Sequence, residues 1–533
     1  MIVKTKSGEI EGAKEDLYYS FKGIPYAEPP IGKNRWLAPK PIKPWSDVKS
    51  CKEFGSICPQ NELVYEQEAT ADYETGSNQS EDCLTLNVWT SELDSNKPVL
   101  VWIHGGAYFL GSGADCLSDS GDICRDGKYV VVSMNYRLAC FGFLRLIDLT
   151  DGKIPSTGNE ALLDQVEALK WIQANISSFG GDPNNVTLIG QSAGGHSIGT
   201  LLAMPDAKGL FHKAIVCDGG SETIQPKEEA NRLALKLLNE CNIDPSDVDA
   251  INSLSTEDLK AFDAKMQDPN HPYTQDLDFA TQAHAKPCVD GIHIPDQPLN
   301  LIRAGSAKDV SVILGTSDSE AFGYDEIYPG LREWNVEEAI EFEMRDWLRK
   351  SKFLKISEKS AREDVKKLFD AYEVHLSSNE MDSSPAECFL KINGHKWFWV
   401  STIRLAEALS KNSKHVYNYN WTFPGPHGSP YHGSSLPFFL DYVDSEVGKQ
   451  MCGENESVRK LSAIINKIVD NFLTSGNPNK SDDVPVWPIY DDSMESLLFA
   501  ETIETIKDFN SSLRKTWDQV EAVSYTHLTL PTI

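Results

Sequence analysis

The chain has 533 residues, and its 50 basic and 79 acidic side chains give a formal net charge of −29 at pH 7. Such a surface repels phosphate backbones and anionic lipid headgroups, which argues against nucleic acid and acidic membranes as partners. The chain contains no apolar run of about 18 residues or more, so no membrane span is predicted.

Short apolar strands alternate with helical patterns along the chain. This alternation predicts an α/β fold in which a central, mostly parallel sheet is flanked by helices. The first buried strands are predicted over residues 99–103 and 129–134. A helix is predicted over residues 159–176, because its apolar residues recur at the spacing of one helical face. Residues 186–189 form the next predicted strand.

Later strands are predicted over residues 213–217, 310–314 and 415–421, and a late helix over residues 458–473. Residues 226–375 contain several charged amphipathic patterns interrupted by proline-rich loops. We expect this part of the chain to form helical insertions that cap the sheet and wall a pocket.

No glycine-, serine- or proline-rich linker, repeat or low-complexity tract divides the chain, so residues 1–520 are predicted to form a single domain. Residues 521–533 are predicted to be a disordered or non-native tail. The N-terminus lacks the apolar core of a signal peptide, so we expect a cytoplasmic protein. A truncated N-terminus would leave a secreted or endoplasmic-reticulum-lumenal protein as the alternative.

The most informative motif is Gly-Gln-Ser-Ala-Gly at residues 190–194, which follows a predicted strand and precedes a helix start. In that context Gly-x-Ser-x-Gly is a nucleophile elbow, which holds the hydroxyl of Ser192 on a tight strand-to-helix turn. The flanking glycines permit the turn, and the helix N-terminus directs N–H groups at a developing oxyanion. A chance match alone would occur roughly one time in five in such a chain, so the context gives the motif its weight.

Residues 179–195 as a whole resemble the serine active-site signature of type-B carboxylesterases, the cholinesterase-like branch of the α/β-hydrolases. A second signature of that family stands separately at residues 81–89. Other family-like segments follow in family order at residues 21–30, 104–107, 135–137, 163–165 and 476–478. The resemblance extends from about Val3 to about Trp517. It implies an α/β-hydrolase of the invertebrate carboxylesterase type, with helical insertions capping its active site.

The resemblance also implies a catalytic triad, whose members follow the chain order serine, acid, histidine. Ser192 is the nucleophile. Glu320 matches the acid position, with Asp318 as its local rival. His432 matches the base, because the residues after it follow the family pattern, and those after the rival His427 do not.

An oxyanion hole needs backbone N–H donors directed at the negative charge that develops on the substrate. By resemblance, these donors are the N–H groups of Gly106, Ala107 and Ala193. The resemblance further implies two structural ion pairs that would clamp the loops of the active site, Arg35 with Glu81 and Arg137 with Asp164. Cys58 and Cys83 lie where the family has its first loop disulfide, a bridge that we expect only if the protein is secreted.

Several residues depart from the cholinesterase pattern. Gln191 replaces an acidic residue immediately before the nucleophile, and residues 64–80 offer Tyr65 and Tyr73 but no tryptophan for a choline cation. Acetylcholine specificity is therefore not expected, since a quaternary ammonium binds an aromatic face. Asp218 stands where the family usually has serine. It could raise the basicity of His432 or bond to nearby backbone, and the sequence leaves both open.

These observations favour a serine carboxylic-ester hydrolase that forms an acyl-enzyme with small to medium esters and needs no metal or cofactor. A lipase or hormone-directed esterase is an alternative within the same chemistry. A non-catalytic, cholinesterase-like adhesion protein is the alternative of a different class. Such proteins typically have lost a triad residue and carry a membrane span, neither of which this sequence indicates. The oligomeric state cannot be inferred from the sequence.

Overall fold

A computed structural model describes residues 1–61, 78–114, 127–268, 285–328, 330–354, 356–413 and 415–520. Its strands are β1 Ile2–Lys4, β2 Glu9–Glu11, β3 Ala13–Lys14, β4 Tyr19–Pro25, β5 Lys49–Ser50, β6 Thr85–Thr90, β7 Lys97–Ile103, β8 Val130–Met134, β9 Gly181–Gln191, β10 Lys213–Cys217, β11 Gln225–Pro226, β12 Cys288–Val289, β13 Ser311–Ser317, β14 Val416–Trp421, β15 Glu495–Phe499 and β16 Ile503–Lys507.

Its α-helices are α1 Ala139–Gly142, α2 Glu160–Asn175, α3 Ala193–Leu201, α4 Lys227–Glu240, α5 Val248–Asn252, α6 Thr256–Gln267, α7 Pro298–Arg303, α8 Val336–Leu354, α9 Glu358–Ser378, α10 Pro385–Gly394, α11 Val400–Ser410, α12 Leu436–Phe439, α13 Glu446–Cys452, α14 Glu456–Ser475 and α15 Ser511–Trp517. A π-helical turn over His395–Trp399 joins α10 to α11. Each strand and helix predicted above is confirmed, with ends that differ by a few residues.

One large sheet organises the molecule, with the strand order β16-β15-β14-β13-β10-β9-β7-β8-β6-β4-β3. Its strands run parallel from β8 through β7, β9, β10, β13 and β14 to β15. The neighbours at both edges are antiparallel. The predicted α/β fold with a mostly parallel sheet is therefore confirmed.

The two faces of this sheet bury separate apolar clusters, because side chains alternate along a strand. On β7, Val99, Val101 and Ile103 join one cluster, and Leu100 and Trp102 join the other. Helices α2 and α3 cover the first face, and α14 covers the second. Both faces of the sheet are thus covered by helices, as the near-continuous apolar strands require.

A third apolar cluster belongs to the helical insertion formed by α8, α9 and α10. Tyr328 and Phe389 meet edge to face in this cluster, with ring centroids 5.0 Å apart. Leu513 and Trp517 of α15 close it from the C-terminal end. The insertion therefore has a core of its own beside the sheet.

Both ion pairs implied by the resemblance are present. Their nitrogen–oxygen distances are 2.6 Å for Arg35 with Glu81 and 2.7 Å for Arg137 with Asp164. Cys58 and Cys83 are buried, and they are free, as are the other cysteines in the described ranges. No helix in those ranges is long and apolar enough to cross a membrane. The predicted tail and the tyrosines at 65 and 73 lie outside the described residues, and the cellular compartment stays a prediction.

Candidate active site

The candidate catalytic and oxyanion residues follow four strands of the sheet. The loop with Gly106 and Ala107 follows β7, Ser192 follows β9, and Glu320 and His432 come after β13 and β14. These strands and β10 are parallel neighbours, so their carboxyl ends share one edge of the sheet. The fold thereby brings together residues that are more than 300 positions apart in sequence.

Ser192 occupies a strained turn between β9 and α3, with φ 57° and ψ −124°. Only small residues fit around it. A β-carbon at Gly190 would lie 2.6 Å from the carbonyl carbon of Gly194, and one at Gly194 would lie 2.0 Å from the oxygen of Ile103. Strain of this kind persists where the surrounding structure fixes the backbone, as at a nucleophile elbow.

Glu320 and His432 are in direct contact. Oε2 of Glu320 lies 2.5 Å from Nδ1 of His432. The Glu320 side chain is buried, and its Oε1 accepts the backbone N–H of Ser317 at 2.7 Å. This arrangement orients the imidazole so that Nε2 is free of the acid and can act as a base.

The Nε2 atom of His432 faces the side-chain amide of Gln191, at 3.0 Å. In the described part of the chain no hydrogen bond joins this nitrogen to the hydroxyl of Ser192. Catalytic hydrogen bonds are often completed only when the substrate binds. The structure therefore brings Glu320 and His432 together, and Ser192 follows Gln191, the residue whose side chain contacts His432.

The rival residues have other partners. The carboxylate of Asp318 contacts the ammonium group of Lys391. Burial alone would raise the pKa of Asp318, but the charge of Lys391 and a hydrogen bond from it leave that pKa below its ordinary value. His427 is exposed and lies on the loop before His432. Neither rival contacts the Glu320–His432 pair through a hydrogen bond.

The three candidate oxyanion donors lie at the same edge. Gly106 and Ala107 have φ values of 95° and 50°, and their loop is closed by the N–H groups of Phe109 and Leu110, which donate to the oxygen of Gly106. Within the described ranges, the N–H groups of Gly106 and Ala107 have no intramolecular acceptor. Ala193 opens α3, where backbone N–H groups lack partners inside the helix. All three can donate to an oxyanion.

Comparison with known proteins agrees with this geometry. The sequence profile described as "Carboxylesterase family" matches residues 1–517. The chain is 34% identical to para-nitrobenzyl esterase of Bacillus subtilis over 95% of its own length and 96% of that protein. It is 30% identical to phenmedipham hydrolase of Pseudarthrobacter oxydans over 95% and 97%. A solved structure of PNB esterase matches with a TM-score of 0.80 and 32% identity, covering 97% of this chain and 99% of that one.

The chain belongs to the carboxylesterase family. It is a type-B serine hydrolase of carboxylic esters with the α/β-hydrolase fold, and its substrates are small-molecule esters. Neither of these two relatives is named for acetylcholine, whereas an acetylcholinesterase of Bungarus fasciatus matches 92% of the chain at a lower identity of 29%.

The carboxylesterase has a second buried carboxyl group at this site, that of Asp218. The residue directly follows β10, has a φ of 48° and is fully buried. Of the two roles left open by the sequence, the structure shows the bonds to nearby backbone. Asp218 accepts hydrogen bonds from the backbone N–H groups of Ser317 and Gly433. Burial lowers the pKa of His432 below its ordinary value.

Asp218, Glu320 and His432 are the one group of three metal-ligating side chains in the parts of the chain that the structure describes, with ligand atoms within 4.8 Å of one another. Their oxygens already accept N–H donors, and the Nδ1 of the histidine is taken by Glu320. The donor set fits a hydrogen-bonded catalytic network, and it needs no cation to satisfy it.

Sequence reasoning missed Phe398, whose ring lies 4.4 Å from the ring of His432 between centroids. It belongs to the π-helical turn, which also places Gly394 against Glu320: a β-carbon there would lie 3.1 Å from the Glu320 Cβ. Nothing in the apolar spacing of the esterase sequence marks a π turn. The aromatic run at 397–399 is the one local signal that could have drawn notice.

Proposed function

We propose that Ser192, His432 and Glu320 form the catalytic triad of this esterase. The observation that carries the proposal is the 2.5 Å contact between Oε2 of Glu320 and Nδ1 of His432. It lies at the same edge of the sheet as the strained turn that presents Ser192. In the first step, Nε2 of His432 leaves the amide of Gln191 and accepts the proton of the Ser192 hydroxyl. The serine oxygen then attacks the ester carbonyl carbon.

The negative charge of the tetrahedral intermediate develops on the former carbonyl oxygen. We assign its donors to the N–H groups of Gly106, Ala107 and Ala193, which are free of intramolecular acceptors as described above. Removing one such donor typically costs about 3 kcal/mol of transition-state stabilisation. When the intermediate collapses, the carbon–oxygen bond to the alcohol breaks and His432 gives its proton to the leaving alcohol.

The remaining acyl-enzyme is hydrolysed by the same groups in reverse order. His432 takes a proton from water, the resulting hydroxide attacks the acyl carbon, and the proton returns to the oxygen of Ser192 as the carboxylic acid leaves. Glu320 keeps its position throughout and stabilises the imidazolium that forms in each half-reaction. No cofactor takes part in this sequence of steps.

The substrates that we propose are small to medium carboxylic esters. Names of relatives that match nearly the whole chain support this choice, since one of them is an esterase for para-nitrobenzyl compounds. A lipase would instead prefer long acyl chains. The length of the acyl chain that the enzyme prefers therefore distinguishes an esterase for small to medium esters from a lipase.

The test is hydrolysis of p-nitrophenyl esters from acetate to palmitate by the wild type, Ser192→Ala and a control, Ser177→Ala, whose serine is exposed on the surface. Ser192→Ala should lower kcat by about 10⁴-fold or more, and the control should match the wild type. An organophosphate should titrate one site per chain in the wild type. Activity that survives in Ser192→Ala would refute the assignment, and a preference for palmitate would favour the lipase.

A further inference from the structure

Asp218 connects three of the loops that build the site. Its Oδ2 accepts the backbone N–H of Gly433 at 2.9 Å and the side-chain amide of Gln191 at 3.3 Å. Its Oδ1 lies 3.2 Å from the backbone N–H of Ser317. One side chain thereby links the serine elbow, the acid loop and the histidine loop.

The carboxyl groups of Asp218 and Glu320 are neighbours and share a donor. The N–H of Ser317 lies 2.7 Å from Oε1 of Glu320 and also contacts Asp218. Both side chains are almost completely buried, with 0% and 1% of their surface exposed. Their ligand oxygens lie within 4.8 Å of each other, and burying two charged carboxylates at such a distance is strongly unfavourable. The pair therefore holds a proton when the histidine is neutral.

The surroundings decide which carboxyl keeps that proton. Burial is the main cause that raises the pKa of Glu320 to about 8, a value that already includes the lowering effect of a hydrogen bond with Asp218. Burial and then the charge of Glu320 raise the pKa of Asp218 well above its ordinary value. Glu320 accepts N–H groups on both of its oxygens, from Ser317 on Oε1 and from Nδ1 of His432 on Oε2, which favours the ionised carboxylate. The proton thus belongs on Asp218.

No cation other than the histidine competes for Asp218 among the described residues. Lys391 acts on Glu320, but its ammonium group is paired with Asp318. Burial keeps the remaining titratable groups around the network uncharged at neutral pH, because it raises the pKa of the thiol and the phenols and lowers that of the imidazole. These groups are Cys217, Tyr324, Tyr419 and, beside the catalytic histidine, His196.

We propose that Asp218 is a positioning residue that stays protonated in the resting enzyme and donates its proton in a hydrogen bond to Glu320. It thereby holds the charge of Glu320 against Nδ1 of His432 and ties the histidine loop to the serine elbow. The proposal rests on the triad assigned under Proposed function. It adds a hydrogen-bond donor to the acid of that triad, and it involves no further covalent step.

The first experiment compares Asp218→Asn with Asp218→Ala in p-nitrophenyl ester hydrolysis. Asparagine is never charged, and it can donate to Glu320 through its amide while its oxygen accepts from Gly433. Asp218→Asn should keep kcat within about 3-fold of the wild type, and Asp218→Ala should lose about 10- to 100-fold. The acid limb of the pH profile should stay unshifted in Asp218→Asn. The control is Asp290→Asn, since Asp290 is another buried carboxyl that accepts three backbone N–H groups.

The second experiment does not depend on activity, because it follows the melting temperature Tm from pH 5 to pH 8. A carboxyl that stays protonated when folded but ionises when unfolded costs stability as the pH rises above its unfolded pKa, and the cost grows until the folded pKa is reached. Asp218→Asn removes this cost. Its Tm should therefore gain on the wild type by at least about 2 °C between pH 5 and pH 8.

Each outcome decides between a protonated and an ionised Asp218. Equal losses in Asp218→Asn and Asp218→Ala, an acid limb shifted to lower pH in Asp218→Asn, or a Tm difference that does not grow with pH would overturn the proposal. If Asp218→Asn does not fold, Asp218→Ser provides the same comparison, since a hydroxyl can donate to Glu320 and carries no charge. A wild type without esterase activity would refute the triad instead, and the Tm experiment would still test the proton.

Discussion

Two regions meet at His432, and they are built on different principles. On one side, the carboxyl ends of parallel strands present Ser192 and Glu320, and the position of each is set by strand order. On the other side, the helical insertion has its own apolar core and reaches the site through one π-helical turn, which carries Phe398. In the triad that we propose, the sheet supplies the reacting groups, and the helical insertion supplies the surface against which His432 lies.

The largest expected effect comes from making the same substitution, glutamate to glutamine, once at the sheet edge and once in the helical insertion. Glu320→Gln, at the sheet edge, should lower kcat by about 10⁴-fold, because an amide can hold His432 in the wrong tautomer and does not stabilise an imidazolium. Glu343→Gln is the matched change in the insertion. Glu343 is equally buried, and it pairs with Lys396 at 2.8 Å.

For Glu343→Gln we expect kcat within about 2-fold of the wild type and a loss of about 1–3 kcal/mol in the free energy of unfolding. Lys396 retains Asp346 as a partner at 3.3 Å, which limits the cost. Steady-state kinetics and urea unfolding measure the two quantities. Comparable losses of kcat in both variants would show that the insertion is part of the reacting machinery, contrary to the division drawn here.

A smaller effect is expected where the insertion touches the base. Phe398→Leu removes the aromatic contact with His432, a kind of contact worth about 0.5–1.5 kcal/mol, so kcat should fall by about 2- to 10-fold. Phe389→Leu makes the same change inside the core of the insertion, where Phe389 packs against Tyr328 and Phe342. It should lower Tm and leave kcat of the folded enzyme unchanged. Equal kinetic effects would mean that Phe398 acts only through stability.

The smallest expected effect is a displacement of the pH profile. Burial lowers the pKa of His432 from its ordinary 6.5. The base must be neutral to accept the serine proton, so activity is lost as the pH falls through this pKa. The acid limb of kcat/KM should therefore have its midpoint below pH 6.5. A midpoint above 6.5 would show that carboxylate charge outweighs burial at this histidine.

The two regions also differ in how far their structure could be predicted from sequence. Strands such as β9 and β10 are short apolar runs between turns, and Ser192 lies in a local motif, so pattern and resemblance were sufficient there. The Glu320–His432 contact joins residues 112 positions apart, and only the family resemblance indicated it.

The network around Asp218 and the place of Phe398 could not be derived in this way. The contact between Gln191 and Asp218 joins the last residue of β9 to the first residue after β10, although both residues stood out as departures from the family pattern. The π turn depends on a hydrogen-bond register that no apolar periodicity encodes. Resemblance transfers the positions a family shares, and it says nothing about how the departing residues compensate one another.

The π turn at His395–Trp399 has a consequence for how this enzyme can evolve. A π-helical turn contains one residue more than an α-helical turn. Each residue of an α-helix rotates the chain by about 100°, so an inserted residue changes the direction in which nearby side chains point. The extra residue lets the ring of Phe398 project toward the base, and Leu405 and Leu409 of α11 still face the sheet core. Deleting one residue of this turn would restore an ordinary α-helix and move the ring of Phe398 away from His432 in a single step. Such a deletion would change the contacts of His432 in an evolving enzyme and leave every strand of the sheet unchanged.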